Sequence, residues 1–332
     1  PVMGTASTMK SMSEILGMML PGTSAIPSSH TARKEAAEQT GKRIVEMVHE
    51  GLTPSKLMTE SAFDNALKLL AALGGSTNAV LHLTAIAGRL GMKIDLERYS
   101  LLSKNIPLLV NVQPSGTYSM DDFYEAGGLS SVLKQLFPLL DVDCLTASGE
   151  PLSSFYHSDN SVSSKVIGTL DNPIKESSGI CVLKGNLSSN GAVLKRSASM
   201  EELHQHRGQA FVFDSYEEMI NRIDDDDLPI DKNTVLILRN CGPIGAGMPE
   251  WGEIPIPRKM LQQGVRDMVR ITDARMSGTS YGTVILHVSP EAQAGGVLAV
   301  VQTGDWIELD VKNERLHLDL PEEELKTRLL NQ

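Results

Sequence analysis

Trp306-Ile307-Glu308-Leu309-Asp310-Val311 and Leu316-His317-Leu318-Asp319-Leu320 decide the fold of the second half of this chain. Each segment alternates apolar and polar residues. An extended backbone then shows one apolar face and one wet face, the pattern of a half-buried strand. Lys312-Asn313-Glu314-Arg315 between them reads as the turn of a hairpin. Moving upstream, short apolar or β-branched runs recur at 180–184, 192–195, 210–213, 235–239, 268–272, 283–288 and 297–302. Turn-forming residues separate them. Many short strands with few helices predict a β-barrel or sandwich.

The first 140 or so residues have a different texture. Met9, Met12, Ile15, Leu16 and Met19 recur at helical spacing behind the small residues Gly4-Thr5-Ala6-Ser7, and Pro21-Gly22 ends the run. A second helix is expected from Thr31 to a stop at Gly51. A third should run from Thr53-Pro54 to Gly74-Gly75, with Pro in its first turn, and a fourth from Ser76-Thr77-Asn78 through Leu90. Residues 106–112 read as a short buried strand bounded by Pro107 and Pro114, and 121–137 as a helix broken at Gly127-Gly128. Ser, Gly, Asn and Asp crowd residues 147–179, which suggests a boundary. Two domains follow, 1–150 and 165–332.

Composition narrows the function classes. Hydrophobic residues are 41%, charged residues 21% and aromatics 4%, and the net charge is −11. An acidic chain has no electrostatic reason to hold nucleic acid or an anionic membrane. No apolar stretch approaches the roughly 20 residues of a bilayer span. Cys144, Cys181 and Cys241 are odd in number and far apart, which argues against a disulfide framework and for a reducing, cytoplasmic setting. They read as buried, chemically neutral thiols. The run Asp224–Asp227 reads as a solvated turn rather than a metal site, because adjacent carboxylates repel. The chain opens on Pro1 with no charged segment leading into an apolar one, so no signal peptide is expected and the start reads as a boundary within a longer protein.

Three small-residue segments carry candidate chemistry. Gly4 and Thr5 open a helix, where backbone N–H groups can approach an anion or a cluster. The segment 240–250, Asn-Cys-Gly-Pro-Ile-Gly-Ala-Gly-Met-Pro-Glu, follows a strand, and Glu250 is its only acid. That carboxylate is suited to one ligand position of a hard cation, or to a plain surface turn. The segment 272–279, Thr-Asp-Ala-Arg-Met-Ser-Gly-Thr, places Arg275, Ser277 and Thr279 together. Either an Asp273–Arg275 pair braces a turn, or Arg275 and the hydroxyls face a substrate carboxylate. Ser277 lacks a Gly-x-Ser-x-Gly frame, which disfavours acyl transfer.

Seven stretches in order carry a family likeness: MGTASTM at 3–9, LPG at 20–22, ALGGSTNAVLHL at 72–83, DDFYEAGG at 121–128, GNL and GAVLK within 185–195, CGPIGAGMPE at 241–250, and DARMSGTSYGTVILHVSPEA at 273–292. On these the chain resembles the dihydroxy-acid/phosphogluconate/sugar-acid dehydratases. The resemblance implies the fold class α/β, part of an α/β N-terminal domain followed by a swivelling β-barrel, and a homodimer or homotetramer. It implies removal of water across C2 and C3 of a polyhydroxy acid, with an iron–sulfur cluster (2Fe–2S) and Mg²⁺ as cofactors. Glu250 matches the Mg²⁺-ligating glutamate, Ser277 the proposed base, and Arg275 and Thr279 lie where substrate contacts are expected. Gly4 and Thr5 follow the position of a cluster cysteine, which would precede Pro1. The other cluster cysteines, two Mg²⁺-ligating acids and a modifiable lysine belong to a region not represented in these residues. This stretch alone is therefore expected to be inactive.

Cys241-Gly242-Pro243, where branched-chain dihydroxy-acid enzymes carry Glu-Gly-Pro, favours a sugar acid (aldonate) over a dihydroxy acid of amino-acid biosynthesis. The competing classes are a non-catalytic remnant, an aconitase-like hydro-lyase, and a sugar-acid-binding module.

Overall fold

In a computed structural model, which describes residues 1–158 and 164–332, the chain divides into two units, Pro1–Ile180 and Cys181–Gln332. Part of the stretch expected to form the boundary falls outside the described residues.

The first unit is built mainly from helices, and local sequence sets their ends. Thr5–Ile15 opens behind Gly4. Ala32–Glu50 stops at Gly51, whose φ of 64° is left-handed. The single helix expected across 53–74 is two, Pro54–Leu57 and Glu60–Leu73, because the Thr59 hydroxyl accepts from the Ala62 N–H and starts a new helix. Leu96–Ser103 was not anticipated, although Asp95 caps it by accepting from the Arg98 N–H. The break at Gly127-Gly128 separates Met120–Glu125, held by a Ser119–Asp122 capping box, from Gly128–Leu136. Residues 106–112 are extended and largely buried, but their pairing is limited to isolated bridges such as Leu108–Lys175 and Val110–Ile167. The buried face of Glu60–Leu73, with Phe63, Ala66, Leu67, Leu70 and Leu73, lies in the core.

The second unit is a closed eight-stranded barrel. Its strands are β1 (Cys181–Gly185), β2 (Ser188–Leu194), β3 (Gln205–Phe213), β4 (Val235–Leu238), β6 (Arg270–Thr272), β8 (Val284–Ser289), β9 (Trp306–Asp310) and β10 (Arg315–Asp319). Around the barrel they run β1-β10-β9-β3-β4-β6-β8-β2. A separate two-stranded sheet pairs β5 (Glu250–Trp251) with β7 (Arg275–Met276). The hairpin forms as expected: Leu309 pairs with Leu316 and Ile307 with Leu318. These four side chains join the barrel core, with Leu183, Leu194, Ile237, Ile271 and Ile285.

β4 has no polar face. Val235 and Ile237 belong to that core, while Leu236 and Leu238 enter a second cluster with Phe213, Met219, Met260 and Met268. A strand covered on both sides must be apolar throughout, and β4 is parallel to both β3 and β6. The expected strand at 297–302 is instead a short 3₁₀ helix, Val297–Val300, entered behind Gly296. Closure of the barrel leaves no sheet edge for that run to join.

Candidate active-site loops

β4 and β6 are parallel neighbours in register, Leu238 opposite Thr272, so the segments that follow them leave the same end of the barrel. That topology brings together two motifs more than twenty residues apart. The Asp273 carboxylate, just after β6, accepts from the backbone N–H groups of Asn240 and Cys241, just after β4, at 3.2 and 2.9 Å. It also accepts from the Ala292 N–H at 3.0 Å. Burial pushes the Asp273 carboxyl above its usual range, opposed by these backbone bonds. Glu291, beyond β8, accepts from the N–H groups of Ile244 and Gly245 at 2.8 and 3.1 Å. A side chain on Gly242 would collide with Glu291, and one on Gly245 with the Asn240 carbonyl. Gly242 thus lets the Glu291 carboxylate approach the loop backbone closely, and Gly245 lets the loop fold back on Asn240.

The gripped loop delivers Glu250 to β5. Parallel pairing sets Glu250 opposite Arg275 and Trp251 opposite Met276. The Arg275 guanidinium donates from Nε to the Met248 carbonyl at 2.8 Å and from Nη1 to Glu250 Oε2 at 3.3 Å. Arg275 therefore pairs with Glu250. Asp273 binds backbone instead, and among the described residues the two form no ion pair. Trp251 stacks on Tyr216, ring centroids 4.0 Å apart. The Ser277 N–H donates to the Trp251 carbonyl at 3.0 Å, which fixes the next turn against β5. In that turn the Ser277 and Thr279 hydroxyls lie 2.8 Å apart, and the Thr279 N–H donates to Ser277 Oγ at 3.3 Å. Glu250, Arg275, Ser277 and Thr279 therefore stand on one braced assembly, all within the second unit.

The brace beneath it was not anticipated. Asp267 and Arg270 are buried and paired at 2.9 Å. Asp267 also accepts from the Thr283 N–H and hydroxyl, and Arg270 donates to the carbonyls of Ile254 and Tyr281. These bonds tie down the residues just after the Ser277–Thr279 turn and anchor them to the Ile254 backbone. The sequence held a signal: two opposite charges three apart beside the apolar residues of 268–271.

Gly4 and Thr5 lie in the first unit. Thr5 Oγ1 is 2.9 Å from Ser76 Oγ and accepts from Asn78 Nδ2 at 3.1 Å, while Thr8 Oγ1 accepts from the Ser76 N–H at 3.0 Å. The motifs at 3–9 and 72–83 thus meet in a small hydroxyl cluster. Buried Glu14 closes the next turn, accepting from the N–H groups of Gly22 and Ser24 and from the Tyr156 hydroxyl, each at 2.8 Å.

Neither expected cofactor finds a full ligand set in these residues. Among the described residues no three His, Cys, Asp or Glu gather as a metal site. Cys144, Cys181 and Cys241 are free and buried, and burial pushes each thiol up to about 11. Cluster ligation needs the opposite, an accessible thiolate. Glu250 offers one carboxylate, already paired with Arg275. The residues Asp224–Asp227 are exposed, as expected of a solvated turn. Among the described residues no helix is long and apolar enough to cross a membrane.

Two family profiles match the chain: Dihydroxy-acid/6-phosphogluconate dehydratase N-terminal over residues 1–155, and the C-terminal counterpart over 165–332. The chain is 51% identical over 319 residues to an L-arabinonate dehydratase of Rhizobium leguminosarum bv. trifolii, covering 95% of this chain and 55% of the relative. It is 50% identical over 322 residues to an L-arabonate dehydratase of Azospirillum brasilense, covering 96% and 55%. A dihydroxy-acid dehydratase of Caldicellulosiruptor saccharolyticus is 41% identical over 331 residues, covering 98% and 59%. The chain thus spans a little over half the length of the curated relatives it matches. With both profiles and these relatives spanning nearly all of it, the chain belongs to the dihydroxy-acid/6-phosphogluconate dehydratase family.

Proposed function

We propose that the full-length protein is a hydro-lyase that removes water across C2 and C3 of a sugar acid (aldonate) to give a 2-keto-3-deoxy acid. The observation that carries this is the Ser277–Thr279 hydroxyl pair, set two residues beyond the Glu250–Arg275 pair on one doubly braced loop. In this scheme Ser277 Oγ takes the C2 proton. A serine hydroxyl is too weak a base unless positive charge lies nearby to stabilise its alkoxide. A guanidinium has five N–H donors, and Arg275 uses two of its nitrogens, so it keeps donors for a substrate carboxylate. Thr279 is exposed and offers a hydroxyl to the substrate's own.

Identity of about one half to two arabinonate dehydratases, against 41% to a dihydroxy-acid dehydratase, supports an aldonate substrate. The second reading is a dihydroxy acid of branched-chain amino-acid biosynthesis. An iron–sulfur cluster and Mg²⁺ belong to the proposal, with Glu250 as one Mg²⁺ ligand and the remaining ligands from beyond these residues. A homodimer or homotetramer is proposed with it, and the three free buried thiols favour a cytoplasmic setting.

The test is 2-keto-3-deoxy acid formation by the full-length protein, prepared without oxygen and supplied with Mg²⁺, on pentonates, hexonates and 2,3-dihydroxyisovalerate. Preferred turnover of an aldonate supports the proposal. Preference for dihydroxyisovalerate overturns its substrate half, and no turnover of any overturns it whole.

A further inference from the structure

The motif ending in Lys195 plays no part in the scheme above, yet the barrel brings it to the same turn. Lys195 follows β2 directly, is 7% exposed, and donates from Nζ to the Gly278 carbonyl at 3.5 Å. Gly278 is the middle residue of Ser277-Gly278-Thr279. Three residues beyond Lys195, the Ala198 carbonyl accepts from the Gly282 N–H at 2.9 Å, so the 195–198 segment holds the 278–282 loop at both ends. Among the described residues no carboxylate pairs with the Lys195 ammonium, and burial alone pulls its amine down to about 8. A long cationic side chain kept dry without a counter-charge is costly. Packing does not explain it, because an apolar side chain of similar length fills the space without that cost.

We infer that Lys195 is a positioning residue for the proposed dehydration: its amine tethers the Gly278 carbonyl and so fixes the Ser277 and Thr279 hydroxyls at the point of proton removal. This rests on the hydro-lyase reading. It predicts a role in turnover rather than in substrate capture, because the tether reaches the turn's backbone.

The test compares full-length wild type, Lys195→Met and Lys195→Arg by steady-state kinetics on the preferred aldonate, with hydrogen exchange of the 276–283 peptide alongside. Lys195→Met should lower kcat about 10- to 100-fold, the scale for a displaced reacting group, with KM within about twofold. Lys195→Arg, which keeps a donor, should recover part of that loss. Exchange at 276–283 should quicken in the Met variant and return in the Arg variant. Unchanged kcat and unchanged exchange overturn the inference. So does a raised KM with kcat intact, which makes Lys195 a direct substrate contact. If the wild type turns over no acid at all, the hydro-lyase reading fails, and the exchange measurement still decides whether Lys195 holds the turn.

Discussion

Glu250 and Arg275 face each other in the register of a two-stranded parallel sheet, and Arg275 also holds the Met248 carbonyl two residues before its partner. The ion pair is half-exposed, so on its own it contributes about 0–1 kcal/mol. Its importance is geometric. Arg275→Lys keeps the charge but loses the rigid fork that reaches Met248 and Glu250 together. The expected outcome in the full-length protein is a fall in kcat/KM of about 10- to 100-fold with little change in melting temperature. Parallel kinetic and melting measurements check it.

Asp267 and Arg270 should behave in the opposite way. Both are buried, and Asp267 bonds Arg270 and Thr283. Arg270→Leu leaves the Asp267 charge without its counter-ion, which costs about 3–5 kcal/mol. For a chain of 332 residues the melting midpoint should fall by roughly 4–7 °C. Replacing both members with apolar residues should recover part of the loss, which calorimetry of the single and double variants would show.

Glu291 acts as a local clamp. Its carboxylate accepts the first backbone N–H groups of the Pro243–Ala246 turn, as an N-cap does. Glu291→Ala should cost about 1–2 kcal/mol. Hydrogen exchange should quicken first at 242–247, before any change at β4.

What the sequence disclosed and what it withheld follow from the range of the interactions. The alternation of 306–311 and 316–320 is a local property, and β9 and β10 form where it places them. Gly51 and the Gly127-Gly128 pair stop helices by their own backbone freedom. The run at 297–302 misled because a short apolar stretch has no readable period, and it is a 3₁₀ turn. Asp95 was a visible cap, but the helix behind it is only eight residues long and its apolar stripe is brief. Among candidate site residues, Glu250, Arg275, Ser277 and Thr279 stood out in two loops, and the barrel assembles them. Their supports did not stand out. Asp273 meets Asn240 and Cys241, Glu291 meets Ile244, and Lys195 meets Gly278 only because β4, β6, β8 and β2 are neighbours round the barrel.

Buried Lys195 makes the stability of the fold depend on pH. Burial lowers its amine from the usual 10.5 to about 8. Between those values the unfolded chain holds the proton and the folded chain has released it, so stability rises with pH across that window. Below it, the fold carries the whole penalty of the buried ammonium, about 3 kcal/mol at most by linkage. Lys195→Met should therefore be more stable than wild type near neutral pH, and its advantage should shrink as pH approaches 10.5. Denaturant midpoints for the two proteins at matched pH values check the slope.

The central claim is that Ser277 removes the proton, and the most direct measurement is keto-acid formation by full-length Ser277→Ala beside wild type on the preferred aldonate. Ser277 is only partly buried and its N–H bond to Trp251 survives the change, so folding should be unaffected. The expected result is a loss of turnover of about 10²- to 10⁴-fold, the worth of a positioned base, with an unchanged melting curve. Turnover within a few-fold of wild type would contradict the claim and move the proton acceptor to another group.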